Sequence, residues 1–238
     1  TKAVRAEGLK MGYYYSLYEW FNPLWLTNKQ KYVTQHMIPQ LKDLVNKYKP
    51  SIIFADGEWS LPDTALHSLQ FLSWLFNSSP VKDEVVVDDR WGNNTRSMNH
   101  GAMYTTSEYG SGMDKSIIWE QCEGIGHSFG YNRNEQLTDY NTGRDLILML
   151  VDIVSRGGNL LLDIGPTADG RIPVIMQQRL AQIGAWLKVN GEAIYGTEAY
   201  THPYQWSTGA RPGQKEGNYM NGYSTTELTR PKKDTAQR

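Results

Sequence analysis

Four expected strands, residues 51–56, 84–89, 116–121 and 158–164, end in or beside groups that can do acid–base or nucleophilic chemistry. Those groups are Asp56, the run Asp88-Asp89-Arg90, Glu120 and Asp163. The stretch "SIIFADGEW" shows the pattern best: an apolar run gives way to Asp56, Gly57, Glu58 and Trp59. Alone it has an ordinary explanation, because Asp-Gly is turn chemistry and an acidic residue can cap a following helix. Four such endings in one chain carry more weight. A (β/α)8 barrel gathers the carboxyl ends of its strands at one face, which is where such enzymes place catalytic groups.

The elements that would position these groups alternate. "LKMGYYYS" (9–16) reads as a strand and is followed by the aromatic loop "LYEWFNPLWL". Thr27 is the expected N-cap of a helix whose apolar residues Val33, Met37, Ile38, Leu41, Leu44, Val45 and Tyr48 keep helical spacing, with a kink at Pro39. After the strand "SIIFAD", Asp63 or Thr64 opens a second helix that ends before Pro80. A strand in "DEVVVDDRWG", an irregular Gly-rich stretch from Asn93 to Ser116 and the short strand "IIWEQC" follow. The helix "TGRDLILMLVDIVS", the strand "GGNLLLDIGP" and the helix "IPVIMQQRLAQIGAWLKVN" complete the pattern. Strands alternating with helices predict βαβ units and a parallel sheet. A doubly wound sheet is the competing architecture, but "GIGHSFG" lacks the spacing of a phosphate-binding loop. Past "NGEAIYGTEAY" the helical pattern stops. The expected division is a partial barrel over 1–197 and a link into a β-rich region over 198–238.

Composition narrows the partners. With 24 Lys and Arg against 25 Asp and Glu, the net charge of −1 gives no reason to expect nucleic acid. The longest apolar stretch, "LILMLVDIV", is far short of the roughly 20 residues of a membrane-spanning helix. The lone Cys122 permits no intrachain disulfide and no cysteine metal cluster. Eight Trp and fifteen Tyr outnumber five Phe, and such rings suit stacking on sugars as well as core packing.

Several motifs, in order, carry a resemblance. "MGYYYSLYEWFNPLW", "FADGEW", "WEQCEGIGHSFGYNRNE" and "GGNLLLDIGPTADGRIP…GAWLKVNGEAIYGT" resemble the α-L-fucosidases of glycoside hydrolase family 29 over residues 9 to 200. The resemblance implies a retaining exo-glycosidase on a (β/α)8-like barrel with a β-sandwich after it. It places the nucleophile on Asp56 and the acid/base on Glu108 of "TTSEYG", with Glu120 of "WEQC" as the rival. It makes Tyr14 and Arg90 sugar-binding residues, and it sets Trp59 at the pocket entrance. Phe54 stands where the family usually has Trp, keeping a stacking face but losing the indole donor. Asp163 of "LLDIGP" stands where an Asn is usual. Strands before residue 9, with their histidine pair, are expected in relatives but not present here. The chain is therefore expected to cover about strands 4–8 as a piece of a longer protein. Another chain or segment would complete the barrel, and a homo-oligomer is left open. A secreted, periplasmic or lysosomal location is expected by the same resemblance.

Retaining hydrolysis needs two carboxyl groups about 5–5.5 Å apart, one ionised to attack the anomeric carbon and one holding a proton for the departing oxygen. Asp56 suits the first role with Arg90 beside it, and Glu108 the second on a mobile loop. Neither metal nor cofactor is required. Each residue also has a plainer reading. Glu108 could be a solvated loop charge, Arg90 a structural partner of Asp88 or Asp89, and Glu120 a buried, paired acid. The alternative to a fucosidase is a silent glycan-binding or structural protein that keeps half a barrel. Another retaining glycosidase of similar barrel is separated from both by a substrate panel.

Overall fold

A computed structural model describes residues 1–96, 103–108 and 117–201. The chain divides into two units, Thr1–Thr105 and Thr106–Arg238. In the first, β1 (Gly12–Ser16), β2 (Ile52–Asp56) and β3 (Val86–Val87) form a parallel sheet in the order β1-β2-β3. Strand alternation sorts its faces. Tyr15, Ile53, Ala55 and Val87 turn into a core with Leu41, Val45, Phe71 and Leu75 of the crossover helices. Tyr14, Ser16, Phe54 and Asp56 share the opposite face, with Tyr14 level with Phe54 and Ser16 with Asp56.

The helical segments are more broken than the spacing predicts. After α1 (Lys2–Ala6), the aromatic loop contains α2 (Pro23–Thr27), capped by Asn22. The next N-cap is Asn28, whose side chain accepts from the Lys31 N–H, whereas the Thr27 hydroxyl turns back to the Pro23 carbonyl. α3 (Lys29–Tyr32) leads into a π-helical stretch, Val33–Met37, and then α4 (Ile38–Tyr48). Pro39 thus sits at the start of α4, where its missing N–H is tolerated, and the wider π turns precede it. Nor does Asp63 or Thr64 open the next helix. Residues 62–66 close a turn on the Pro62 carbonyl, His67 is left-handed (φ 53°), and α5 runs Ser68–Ser78.

The second unit holds β4 (Thr105–Glu108) from its second residue on, β5 (Trp119–Gly124) and β6 (Gly158–Asp163), in that order across a sheet in which β5 and β6 are parallel. β4 is a departure from the irregular stretch expected between Asn93 and Ser116, so Glu108 ends a strand instead of sitting in a loop. β5 also lies further along than residues 116–121. Trp119 packs so closely on Gly158 that a Cβ there would stand 2.3 Å from its ring, which pins the register and sets Glu120 near the beginning of the strand. α6 (Gly143–Ser155) opens with a reciprocal cap between Thr142 and Asp145, and α7 (Val174–Asn190) packs on it. Trp119, Leu146, Met149, Ile153 and Met176 form the core.

The β/α alternation and parallel pairing agree with the sequence. Among the described residues these strands make two three-stranded sheets, not a closed barrel. Most of the region expected to be β-rich, residues 202–238, lies outside the described residues.

Candidate active site

The first unit brings together four of the residues singled out in the sequence. The two oxygens of Asp56 are held by different donors: the Tyr14 hydroxyl gives a bond of 2.6 Å to Oδ2, and Arg90 Nη1 one of 2.9 Å to Oδ1. Arg90 therefore spends this bond on Asp56 across 34 residues of sequence, not on an adjacent aspartate. Its guanidinium lies 5.5 Å over the Phe54 ring, whose other neighbour is the Tyr14 ring, stacked at 5.9 Å. Phe54 thus supports both donors.

Strand register explains this convergence. Tyr14 is level with Phe54 and two residues short of Asp56, a diagonal that the long phenol can span and a shorter side chain could not. The Arg90 side chain is 5% exposed and that of Asp56 18%, so the cation is covered while the carboxylate keeps an open side. Just beyond, Gly57 turns with φ 83°, and a Cβ there would come within 2.7 Å of the Tyr18 ring. That turn buries Glu58 and leaves Trp59 exposed, its ring edge-on to Tyr18.

Of the remaining carboxyl candidates, Glu108 is the exposed last residue of β4, and Glu120 is half-buried on β5. Both belong to the second unit. At the carboxyl end of β5 stands Glu123, buried and accepting from the Gln121 side chain at 2.7 Å. Asp163 ends β6, and burial pushes its carboxyl above the usual range.

The model of a family described as Alpha-L-fucosidase matches residues 1–192. An alpha-L-fucosidase of Dictyostelium discoideum is 46% identical over 209 residues, 84% of this chain and 45% of the relative. The chain belongs to the alpha-L-fucosidase family. The human tissue alpha-L-fucosidase is also 46% identical, over 87% of this chain and 46% of its own length. A crystal structure of the Thermotoga maritima alpha-fucosidase with a mechanism-based inhibitor superposes with a TM-score of 0.70 at 37% identity, covering 84% of this chain and 46% of that one. The chain spans less than half the length of these relatives. Among the described residues of this fucosidase-family chain, no helix is long and apolar enough to cross a membrane.

Two parts of the site escaped sequence reasoning. Arg96 reaches buried Glu58 at 3.3 Å and Asp89 at 3.8 Å, while the Thr105 hydroxyl donates to Asp89. This network ties the turn after Asp56 to the turn after Arg90. The other is the bond made by Asp88, a residue singled out only as a strand-end acid: it is fully buried, and its Oδ1 accepts the Ala55 N–H at 3.2 Å. The available signal was the crowding of "VVVDDRWG": two acids directly after a buried apolar strand must be paired or neutral.

Proposed function

We propose that the protein to which this chain belongs is a retaining exo-α-L-fucosidase releasing terminal α-L-fucose from glycans, with Asp56 as nucleophile and Glu108 as acid/base, Glu120 being the alternative. The observation that carries this reading is the strand-end carboxyl of Asp56, each oxygen held by one donor and one side left open. Held this way the carboxylate is fixed in orientation before a sugar arrives, so little is lost in aligning it.

One Asp56 oxygen attacks the anomeric carbon as the bond to the leaving oxygen breaks, and that oxygen takes the proton of Glu108. The ester so formed has lost the negative charge that faced Arg90. A covered guanidinium without its counter-ion is costly, which favours the return of the carboxylate. Water, giving its proton to Glu108, attacks the anomeric carbon and the electron pair returns to Asp56. Two inversions leave the configuration unchanged. Tyr14, Arg90, Phe54 and Trp59 are assigned to sugar binding. Residues 1–197 are assigned to about strands 4–8 of a (β/α)8 domain, and 198–238 to the start of a β-rich region. A fucosylated glycan in a secreted, periplasmic or lysosomal setting is the proposed substrate.

The test is proton NMR of the sugar first released from an aryl α-L-fucoside by the full chain. α-L-Fucose ahead of its β anomer is expected. The β anomer first would overturn the retaining assignment, and binding without release would identify a silent glycan-binding protein.

A further inference from the structure

The parallel ladder between β2 and β3 stops after two rungs, and the place where it stops is informative. The Val86 N–H donates to the Ser51 carbonyl, and the register pairs Ile52 with Val86 and Ile53 with Val87. In a parallel pair the bonds alternate evenly, so the next acceptor for the Ala55 N–H would be the main-chain carbonyl of Asp88. It is not used. The Ala55 N–H goes instead to the side chain of Asp88, at 3.2 Å, and the Asp88 carbonyl accepts from the Trp91 indole at 3.1 Å.

We propose that Asp88 is a positioning residue for Asp56: its carboxyl replaces the last main-chain rung of the sheet and fixes Asp56 and Arg90 against each other. The substitution acts on both partners. On one side it holds Ala55, whose next residue is Asp56. On the other it releases a carbonyl for Trp91, which follows Arg90. Trp91 is itself held by its stacking on Phe71 at 5.4 Å, by Thr95 Oγ1 accepting from its N–H at 3.0 Å, and by the Ser68 hydroxyl on its carbonyl. Arg90 is therefore delivered from a turn with almost no freedom.

The surroundings of Asp88 fit a hydrogen-bonding part. It is fully buried, and among the described residues its second oxygen, Oδ2, meets no hydrogen-bond partner. Burial pushes its carboxyl well above the usual range, against the pull of the Ala55 N–H, the Arg90 charge and the Arg90 main-chain N–H, with Asp89 pushing the same way as burial.

This inference rests on the reading of Asp56 as nucleophile, and its test separates the two. Amide exchange at Ala55 is measured in the full chain and in Asp88→Asn and Asp88→Ala, alongside covalent labelling by a 2-deoxy-2-fluoro-L-fucosyl fluoride. Asn keeps an uncharged acceptor, so Ala55 protection and labelling rate should stay within about threefold of the wild type. Ala removes the acceptor: Ala55 exchange should quicken at least about tenfold, the value of one hydrogen bond of ~1.4 kcal/mol. The labelling rate constant should fall by about 10²-fold with reagent affinity little changed, as expected of a displaced reacting group. If Asp88→Ala does not fold, Asp88→Ser, which ends short of Ala55, takes its place. Unchanged Ala55 protection without the carboxyl, or failure of Asn to restore it, overturns the proposal. A wild-type chain that is never labelled overturns the nucleophile assignment, while Ala55 exchange still decides whether Asp88 holds the strand.

Discussion

Arg90 and Arg156 each pair with an aspartate while lying over an aromatic ring, one in each unit of the chain. Arg156 reaches Asp152, one helical turn earlier, through Nε at 3.1 Å and Nη2 at 2.6 Å, and sits 5.1 Å over Trp119. Arg90 reaches Asp56 from the turn after β3 and sits over Phe54. In the helical pair both side chains are closed off, at 4% and 5% exposure. In the strand pair only the arginine is, and the aspartate, 18% exposed, takes a further donor from Tyr14 on a third element. One helix end can assemble a closed pair by itself, and such a pair holds a core together. Joining groups from two strands and the turn after a third leaves a carboxylate oriented but approachable, and that difference is what makes a reaction site.

Breaking each pair in turn should expose that difference. Arg156→Met strands the Asp152 charge in the core and should cost about 3–5 kcal/mol of stability. Thermal and urea unfolding would measure the loss, and turnover per folded molecule should be unchanged. Arg90→Met should do the reverse, lowering kcat by about 10²–10³-fold as one fixed donor is lost, with a smaller fall in Tm because Asp56 can still reach water. Tyr14→Phe removes only a hydroxyl from the open side, so a loss of about tenfold in kcat/KM is expected, with unchanged stability. The smallest effect concerns Asp163. Burial raises its folded pKa above the unfolded one, so the folded state holds the extra proton and stability falls as pH rises through that window. Asp163→Asn should therefore have the higher Tm at neutral pH. The gap should close on acidification below the ordinary carboxylate range, which paired unfolding curves would show.

The strand endings at Asp56 and Asp163 were legible in the sequence because apolar runs stopping at charges are a local pattern. Arg90 was legible as part of a charged strand ending, but its role, like Tyr14 altogether, was legible only through resemblance. Their meeting at Asp56 depends on strand register, which no window of the sequence contains. The placement of Glu120 and the extent of β5 slipped because Gly158, 39 residues away, decides where Trp119 can pack. Helix starts at Asn28 and Ser68 were missed for a different reason. The Thr27 hydroxyl is taken by the Pro23 carbonyl of the preceding helix, which leaves the cap to Asn28, and His67 enters a left-handed conformation uncommon for its type. Asp88 was visible as a strand-end acid, but its use as a rung of the sheet was not, since it looks like any charge at a strand end.

The central claim is that Asp56 is the approachable carboxylate on which the reaction turns. Peptide mapping by mass spectrometry after treating the full chain with 2-deoxy-2-fluoro-L-fucosyl fluoride tests it most directly. A single fluorofucosyl adduct on Asp56, absent in Asp56→Gly, is the predicted result; an adduct on Glu108, Glu120 or another carboxylate, or no adduct at all, would contradict it.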